Sequence, residues 1–228
     1  MLKSDDLNVP TERERREIEY WRDSPEERPG PLSVPNILNK MGDARLFFDF
    51  FQRYQRLFRG RVIEFGAGQG WAACLVKRLA PAAHVIATDI SPYAVEAMPE
   101  WERLWGVRLD RSYACGSTST READGSIDLA FCFASAHHFD QEATLREVAR
   151  ILASDGAALF LYEPTVGRLL YRFQVWRMNR VRPAVQEDAI VPARFSGMAA
   201  RRGLRAHFEY VEPKGWISKP ANIVIRRA

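Results

Sequence analysis

The chain has 228 residues, of which 46% are hydrophobic and 27% charged, with a formal net charge of +4. A chain of this length buries one sizeable core and gives no reason to expect two full domains. No uncharged run approaches the roughly 20 apolar residues of a spanning helix, and the charged start around Lys3, Asp5 and Asp6 does not resemble a secretory signal. Cys74, Cys115 and Cys132 lack the spacing of a metal or disulfide framework, so three free, mostly buried thiols and a soluble cytoplasmic protein are expected. The small basic excess permits a polyanionic partner without requiring one.

Residues 1–36 are polar, contain Pro10, Pro25, Pro29, Pro31 and Pro35, and carry a mixed-charge helical patch over Glu12–Tyr20 ending in Trp21. They read as an N-terminal extension. From Ile37 the pattern turns helical: Phe47, Phe50, Phe51, Tyr54, Leu57 and Phe58 share one face, and Gly60 ends the helix. That stripe predicts packing against a sheet, with a substrate-facing aromatic wall as the alternative.

Beyond Gly60 short apolar runs alternate with helical patterns, which is the signature of βαβ units. Strands are expected at Arg61–Phe65, His84–Asp89, Arg108–Ala114, Ile127–Phe133 and Ala157–Tyr162. Core-facing helices follow from Ala72, Leu75, Val76 and Leu79, and from Leu145, Val148, Ala149 and Leu152 behind an Asp140 N-cap. Ala193–Arg202 reads as a further helix closed by Gly203, before strands at Leu204–Val211 and Ile223–Ile225 separated by the turn-rich Glu212–Pro220. The fold class is therefore α/β, a Rossmann-like sheet of seven strands with helices on both faces.

The most informative stretch is Val62-Ile63-Glu64-Phe65-Gly66-Ala67-Gly68-Gln69-Gly70, a strand running through three alternate glycines into a helix. Glycines there let the backbone turn sharply and approach a ligand, and the helix N-terminus offers free N–H groups. A dinucleotide fingerprint would need glycine where Trp71 stands, which counts against NAD and FAD. The next strand, Val85-Ile86-Ala87-Thr88-Asp89, ends in a carboxylate that can accept both hydroxyls of a ribose; an N-cap by Asp89 or Ser91 is compatible with that role. Loop, strand and acid together ask for a nucleoside.

These residues resemble the class I S-adenosylmethionine-dependent methyltransferases, over roughly Arg61 to Tyr162. Glu64 to Gly70 looks like the family's first motif, Asp89 like its ribose-binding acid, and Asp124-Gly125-Ser126-Ile127-Asp128-Leu129 like its fourth-strand motif. Leu145 to Gly156 is similar to the helix and turn before its fifth strand. The resemblance implies S-adenosyl-L-methionine as cofactor, held by Glu64, Gly66, Ala67, Gly68, Gly70, Asp89, Ile90, Ser117 and Phe133. It also implies an antiparallel seventh strand at the sheet edge. Where the family commonly has Gly-Asp after the third strand, this chain has Cys115-Gly116-Ser117, so adenine contact falls to Ser117 or a backbone group. The organisation implied is a helical cap over 1–58 and a cofactor-binding domain over 59–228 with a lid insertion at about 164–192.

Methyl transfer from a sulfonium depends on holding acceptor and methyl in line and excluding water. A hydroxyl acceptor must also lose a proton, which suits histidine. His137 and His138 follow the fourth strand at the carboxyl end of the sheet, where open α/β sheets bind ligands; a structural loop role is the alternative. No third or fourth ligand for a metal is evident near them in the sequence, and no metal is expected. Glu163, after the fifth strand, is a candidate to orient an acceptor hydroxyl. Val166–Pro183 carries Arg168, Arg172, Arg177, Arg180 and Arg182 beside Leu169, Phe173 and Trp176, a cationic amphipathic helix suited to an anionic acceptor or simply to solvent.

The function expected is methyl transfer to a small molecule, most simply a hydroxyl of a sugar or secondary metabolite. The alternatives are an RNA or other nucleic-acid methyltransferase and a non-catalytic binding protein of the same fold. No Asp/Asn-Pro-Pro-aromatic motif occupies Asp128–Ser135 and no RNA-binding module is visible, so nucleic acid is not the expected partner. No membrane partner is expected, and a homodimer stays open as an assembly.

Overall fold

The computed structural model describes residues 10–23, 33–181, 185–211 and 218–228. Its strands are β1 (Arg61–Phe65), β2 (His84–Asp89), β3 (Arg111–Ala114), β4 (Ile127–Phe133), β5 (Leu152–Val166), β6 (Leu204–Tyr210) and β7 (Ser218–Arg227). They form one sheet in the order β3-β2-β1-β4-β5-β7-β6. Strands β1 to β5 pair in parallel, whereas β7 runs antiparallel to both β5 and β6.

The bounds of β1, β2 and β4 are those read from the sequence, because each is a mostly apolar run buried on both faces, as inner strands of a parallel sheet require. The third strand is shorter than expected. Its predicted start is taken up by Asp110, whose carboxylate accepts the Val85 N–H at 2.8 Å and pairs with Lys77 at 2.7 Å. The fifth is longer, since β7 pairs with it from Ala157 to Val166. The antiparallel strand is present, but it lies between β5 and β6, and β6 takes the edge.

Each face of the sheet carries its own core. On one side α2 (Val34–Tyr54), α3 (Trp71–Leu79) and α5 (Met98–Trp105) contribute Phe47, Phe51, Cys74, Met98 and Trp101. On the other, α6 (Gln141–Ile151) and α8 (Pro192–Ala200) contribute Leu145, Val148, Phe195 and Met198. Burying one such side chain contributes about 1.5–3 kcal/mol, so these two layers hold the sheet. The α2 stripe belongs to this core: Phe47 meets Phe131, Phe133 and Trp71 at ring-centroid distances of 5.7–5.9 Å. Packing therefore accounts for the stripe, and no aromatic wall facing a substrate is formed by it. Cys74, Cys115 and Cys132 are free thiols, as expected.

Two further helices flank the carboxyl end of the sheet. The first, α1 (Glu12–Asp23), buries none of its residues, and the second, α7 (Tyr171–Val181), buries only Gln174. Leu169, Phe173 and Trp176 of the expected amphipathic segment point outward, Leu169 being 96% exposed. Pro25, Pro29, Pro31, Arg182, Pro183 and most of the turn expected at Glu212–Pro220 lie outside the described residues.

Candidate functional site

Above the carboxyl ends of β1, β2 and β4 lies a cavity of about 1740 Å³. Its floor is the turn after β1. Gly66 and Gly68 have φ of 59° and 54°, a region costly for residues with a Cβ. A Cβ on Gly66 would lie 2.9 Å from the Phe139 ring, and one on Gly68 would lie 2.9 Å from the Trp21 ring of α1. The loop is thus glycine both for its backbone and for what lies against it.

At the tip of β2, Asp89 uses one carboxylate oxygen to accept the Gly68 N–H at 2.8 Å and the other to accept the Ser91 N–H at 2.9 Å. These bonds fix the carboxylate and leave each oxygen with further acceptor capacity at the cavity that Asp89 borders. Burial pushes its pKa up to about 6, against the lowering effect of those two N–H groups. Ala67, Ile90, Ser117 and Phe133 border the same cavity, and the Ser117 hydroxyl meets that of Thr144 at 2.8 Å.

Two residues expected to touch a cofactor lie elsewhere. Glu64 is buried behind the loop, where burial holds its carboxyl well above the ordinary range and it accepts the Ala73 N–H. Gly70, at φ 78°, forms the entry to α3 and packs on Met98. Neither borders the cavity.

The candidate catalytic residues separate in the same way. Glu163 is fully buried. One of its oxygens accepts the Ser135 and Ala136 N–H groups at 2.9 Å each, and the other accepts the His137 N–H at 3.1 Å. It also meets His137 Nδ1 at 2.8 Å, which, with the backbone bonds, holds its pKa low despite burial. Its carboxylate therefore organises the turn after β4, and it has no face on the cavity with which to orient an acceptor.

His137 is held on both sides. Its Nε2 lies 3.2 Å from Glu187, opposite the Glu163 contact at Nδ1. Burial lowers its pKa, yet the hydrogen bonds and charges of Glu163 and Glu187 outweigh this and push it up to about 9. With both ring nitrogens engaged and no face on the cavity, it is not placed to take a proton from a substrate. His138 does border the cavity, with Nδ1 3.1 Å from Glu17 and Nε2 3.8 Å from Glu187.

The backbone here is strained. Ala134 and Tyr162 adopt φ of 49° and 58°, the two non-glycine residues with positive φ among the described residues, and both border the cavity. The Tyr162 N–H donates to the Asn222 side chain at 2.9 Å, and its ring stacks on Phe133 at 6.0 Å. This strain sits where a βαβ sheet binds its ligand.

Several bordering residues carry no signal of a functional role in the sequence: Arg13 and Glu17 within the helical patch that forms α1, and Glu187 and Asp188 before α8. Arg13 donates to the His137 carbonyl and approaches Asp188 at 3.9 Å, while Tyr171 of α7 donates to Asp188 at 2.8 Å. Arg168, Arg172, Arg177 and Arg180 of the basic run do not border the cavity; Arg146 of α6 and Arg194 of α8 do.

With this geometry in place, comparison with known proteins defines its class. Residues 63–160 match the model of a family described as a methyltransferase domain. The uncharacterized methyltransferase YcgJ of Bacillus subtilis (strain 168) is 34% identical over 102 residues, covering 44% of this chain and 40% of that protein. The match thus spans less than half the length of that relative. The crystal structure of YcgJ superposes with a TM-score of 0.62 at 21% identity, covering 75% of this chain and 93% of that one. Geranyl diphosphate C-methyltransferase from Streptomyces coelicolor A3(2), solved with Mg2+, geranyl diphosphate and S-adenosyl-L-homocysteine, gives 0.72 at 13% identity over 96% and 99% of the two chains. Residues 63–160 thus resemble a methyltransferase domain, and the chain shares the fold of these solved methyltransferases.

Proposed function

We propose that the protein is an enzyme that transfers the methyl group of S-adenosyl-L-methionine to a small-molecule acceptor, most simply a hydroxyl oxygen of a sugar or secondary metabolite. The observation that carries this reading is Asp89: an immobilised carboxylate at the tip of β2 with unused acceptor capacity, beside a positive-φ glycine turn that lines the same cavity. The residues fit an adenosyl group. Asp89 suits the ribose hydroxyls and Ile90 and Ser117 suit the adenine, while Phe133 and Tyr162 line the same cavity and suit the reacting end.

Bound there, the cofactor supplies an electrophilic methyl on a sulfonium. The chain has to hold the acceptor in line and keep water away, to which closely apposed groups contribute most of the rate. Of the three candidate catalytic groups only His138 can touch an acceptor, and Glu187 beside it borders the same corner. Deprotonation of a hydroxyl acceptor falls to this corner, while His137 and Glu163 position it. A polar lining, in which Asn39, Tyr171, Arg146 and Arg194 stand among carboxylates such as Asp140, Glu187 and Asp188, suits a polar acceptor.

The test is production of S-adenosylhomocysteine from S-adenosylmethionine by the full chain, offered fractionated small-molecule extracts or total RNA. Turnover with a small-molecule fraction and none with RNA is expected. Turnover with RNA alone would replace this reading by the nucleic-acid one, and none with any acceptor, despite cofactor binding, would favour a non-catalytic role.

A further inference from the structure

We propose that His137, His138 and Glu187 form a binding site for a first-row divalent transition metal, such as Zn2+, on the wall of the cavity. Three observations converge on it. The ligand atoms of these residues lie within 4.8 Å of one another, and the two Nε2 atoms share one partner, the same Glu187 oxygen, at 3.2 and 3.8 Å. A metal with ligand bonds of about 2.0–2.2 Å spaces neighbouring ligand atoms only slightly more closely than the larger of these distances, so small side-chain shifts close the site.

The second observation concerns the opposite ring nitrogens. Nδ1 of His137 meets Glu163 at 2.8 Å, and Nδ1 of His138 hydrogen-bonds to the Gln186 carbonyl at 3.3 Å with the Glu17 carboxylate 3.1 Å away. A histidine that binds metal through Nε2 characteristically gives its other N–H to a carboxylate or a backbone carbonyl, which fixes the ring and raises its basicity. Here both histidines have that arrangement, with both Nε2 atoms turned to one carboxylate. A single buried imidazolium between two acids would explain His137 alone; it gives no reason for the repetition at His138.

The third is charge. Glu17, Glu163 and Glu187 approach the two rings, while the Arg13 guanidinium donates to the His137 carbonyl and lies 3.9 Å from a carboxylate of its own, Asp188. A dication fits that excess, taking the place of the proton that His137 Nε2 shares with Glu187. Imidazole and carboxylate together suit zinc and its neighbours more than calcium or magnesium, which prefer all-oxygen sites.

His138 and Glu187 border the cavity and His137 closes the site from behind, so the open coordination positions face the acceptor. A metal there would bind an acceptor oxygen and favour loss of its proton, a consequence that rests on the methyl-transfer reading; the site itself does not.

The test is calorimetric titration of tag-free, chelator-treated full chain with Zn2+, repeated with Co2+ while its visible d–d absorption is followed. One equivalent should bind, with Co2+ showing the spectrum of a low-symmetry nitrogen and oxygen site. Glu187→Gln and His138→Gln should each weaken Zn2+ by about tenfold to a hundredfold or more, and Glu17→Gln, which alters only the supporting carboxylate, by about tenfold. Circular dichroism of each variant checks that the fold persists. A double variant of the exposed histidines, His84→Gln with His207→Gln, should bind as the parent does. Absence of stoichiometric binding, equal affinity in the Glu187 and His138 variants, or loss of binding in the double variant would each overturn the proposal. S-adenosylhomocysteine is titrated into the same preparations. Metal binding without nucleoside binding would leave the site standing and remove the methyl-transfer reading, and the reverse would remove the site alone.

Discussion

Asp89 shows how one side chain ties sequence, geometry and function together. Two backbone N–H groups hold it, so its carboxylate is preorganised and a ligand need not order it. Asp89→Ala should weaken S-adenosylhomocysteine binding by about tenfold to a hundredfold, the value of two charge-assisted hydrogen bonds. The sign of the pH dependence follows from its raised pKa. Only the ionised carboxylate accepts both ribose hydroxyls, so affinity should be level above pH 6 and fall as the pH is lowered through about 6. Titrations across that range check it, with Asp89→Asn expected to remove the inflection. His138→Ala should lower kcat by about tenfold to a thousandfold while nucleoside affinity changes little, because His138 sits at the acceptor corner and not at the ribose. Single-turnover rates measured beside binding would separate the two; an unchanged rate would remove His138 from the chemistry.

Among the elements, α1 is the one whose docking is most polar. With no buried residue, it is held by Arg13 on the His137 carbonyl and near Asp188, by Glu17 on His138 and by Trp21 against Gly68. Such a helix detaches without unmaking the core. Arg13→Ala removes two or more of these interactions at about 1 kcal/mol each, so proteolysis within α1 should speed up by about tenfold or more. The global Tm should barely move. Limited trypsin digestion followed by mass spectrometry distinguishes this from general destabilisation, since Arg15, Arg16 and Arg22 remain as cleavage sites in the helix. A Tm that falls in step with the cleavage rate would mean that α1 is part of the cooperative core. By contrast α2, with Phe47, Phe50, Phe51 and Tyr54 buried, should stay protected in both proteins.

Over the whole molecule, legibility followed periodicity. Strands β1, β2 and β4 could be read residue by residue because inner parallel strands are mostly apolar runs, and the glycine loop with Asp89 because its backbone demands leave few residue choices. The ends of β3, β5 and β7 were misjudged because pairing partners and a side-chain cap set them, neither of which a local window contains. Glu163 and His137 were placed at the right end of the sheet but given the wrong face. Nothing in Tyr162-Glu163-Pro164 announces that the carboxylate turns inward to gather three backbone N–H groups. Glu187, from a segment with no pattern of its own, and Arg13, from a helical patch that gives no sign of where it docks, meet the histidines across long stretches of chain, and only the folded chain brings them together.

The account stands on the cavity above β1 and β2 being an adenosyl site, and calorimetric titration of the purified chain with S-adenosylmethionine, S-adenosylhomocysteine and NAD tests this most directly. Binding of both adenosyl sulfur compounds with Kd of about micromolar and no binding of NAD is the expected result. Failure of both adenosyl compounds to bind, or preference for NAD, would contradict it.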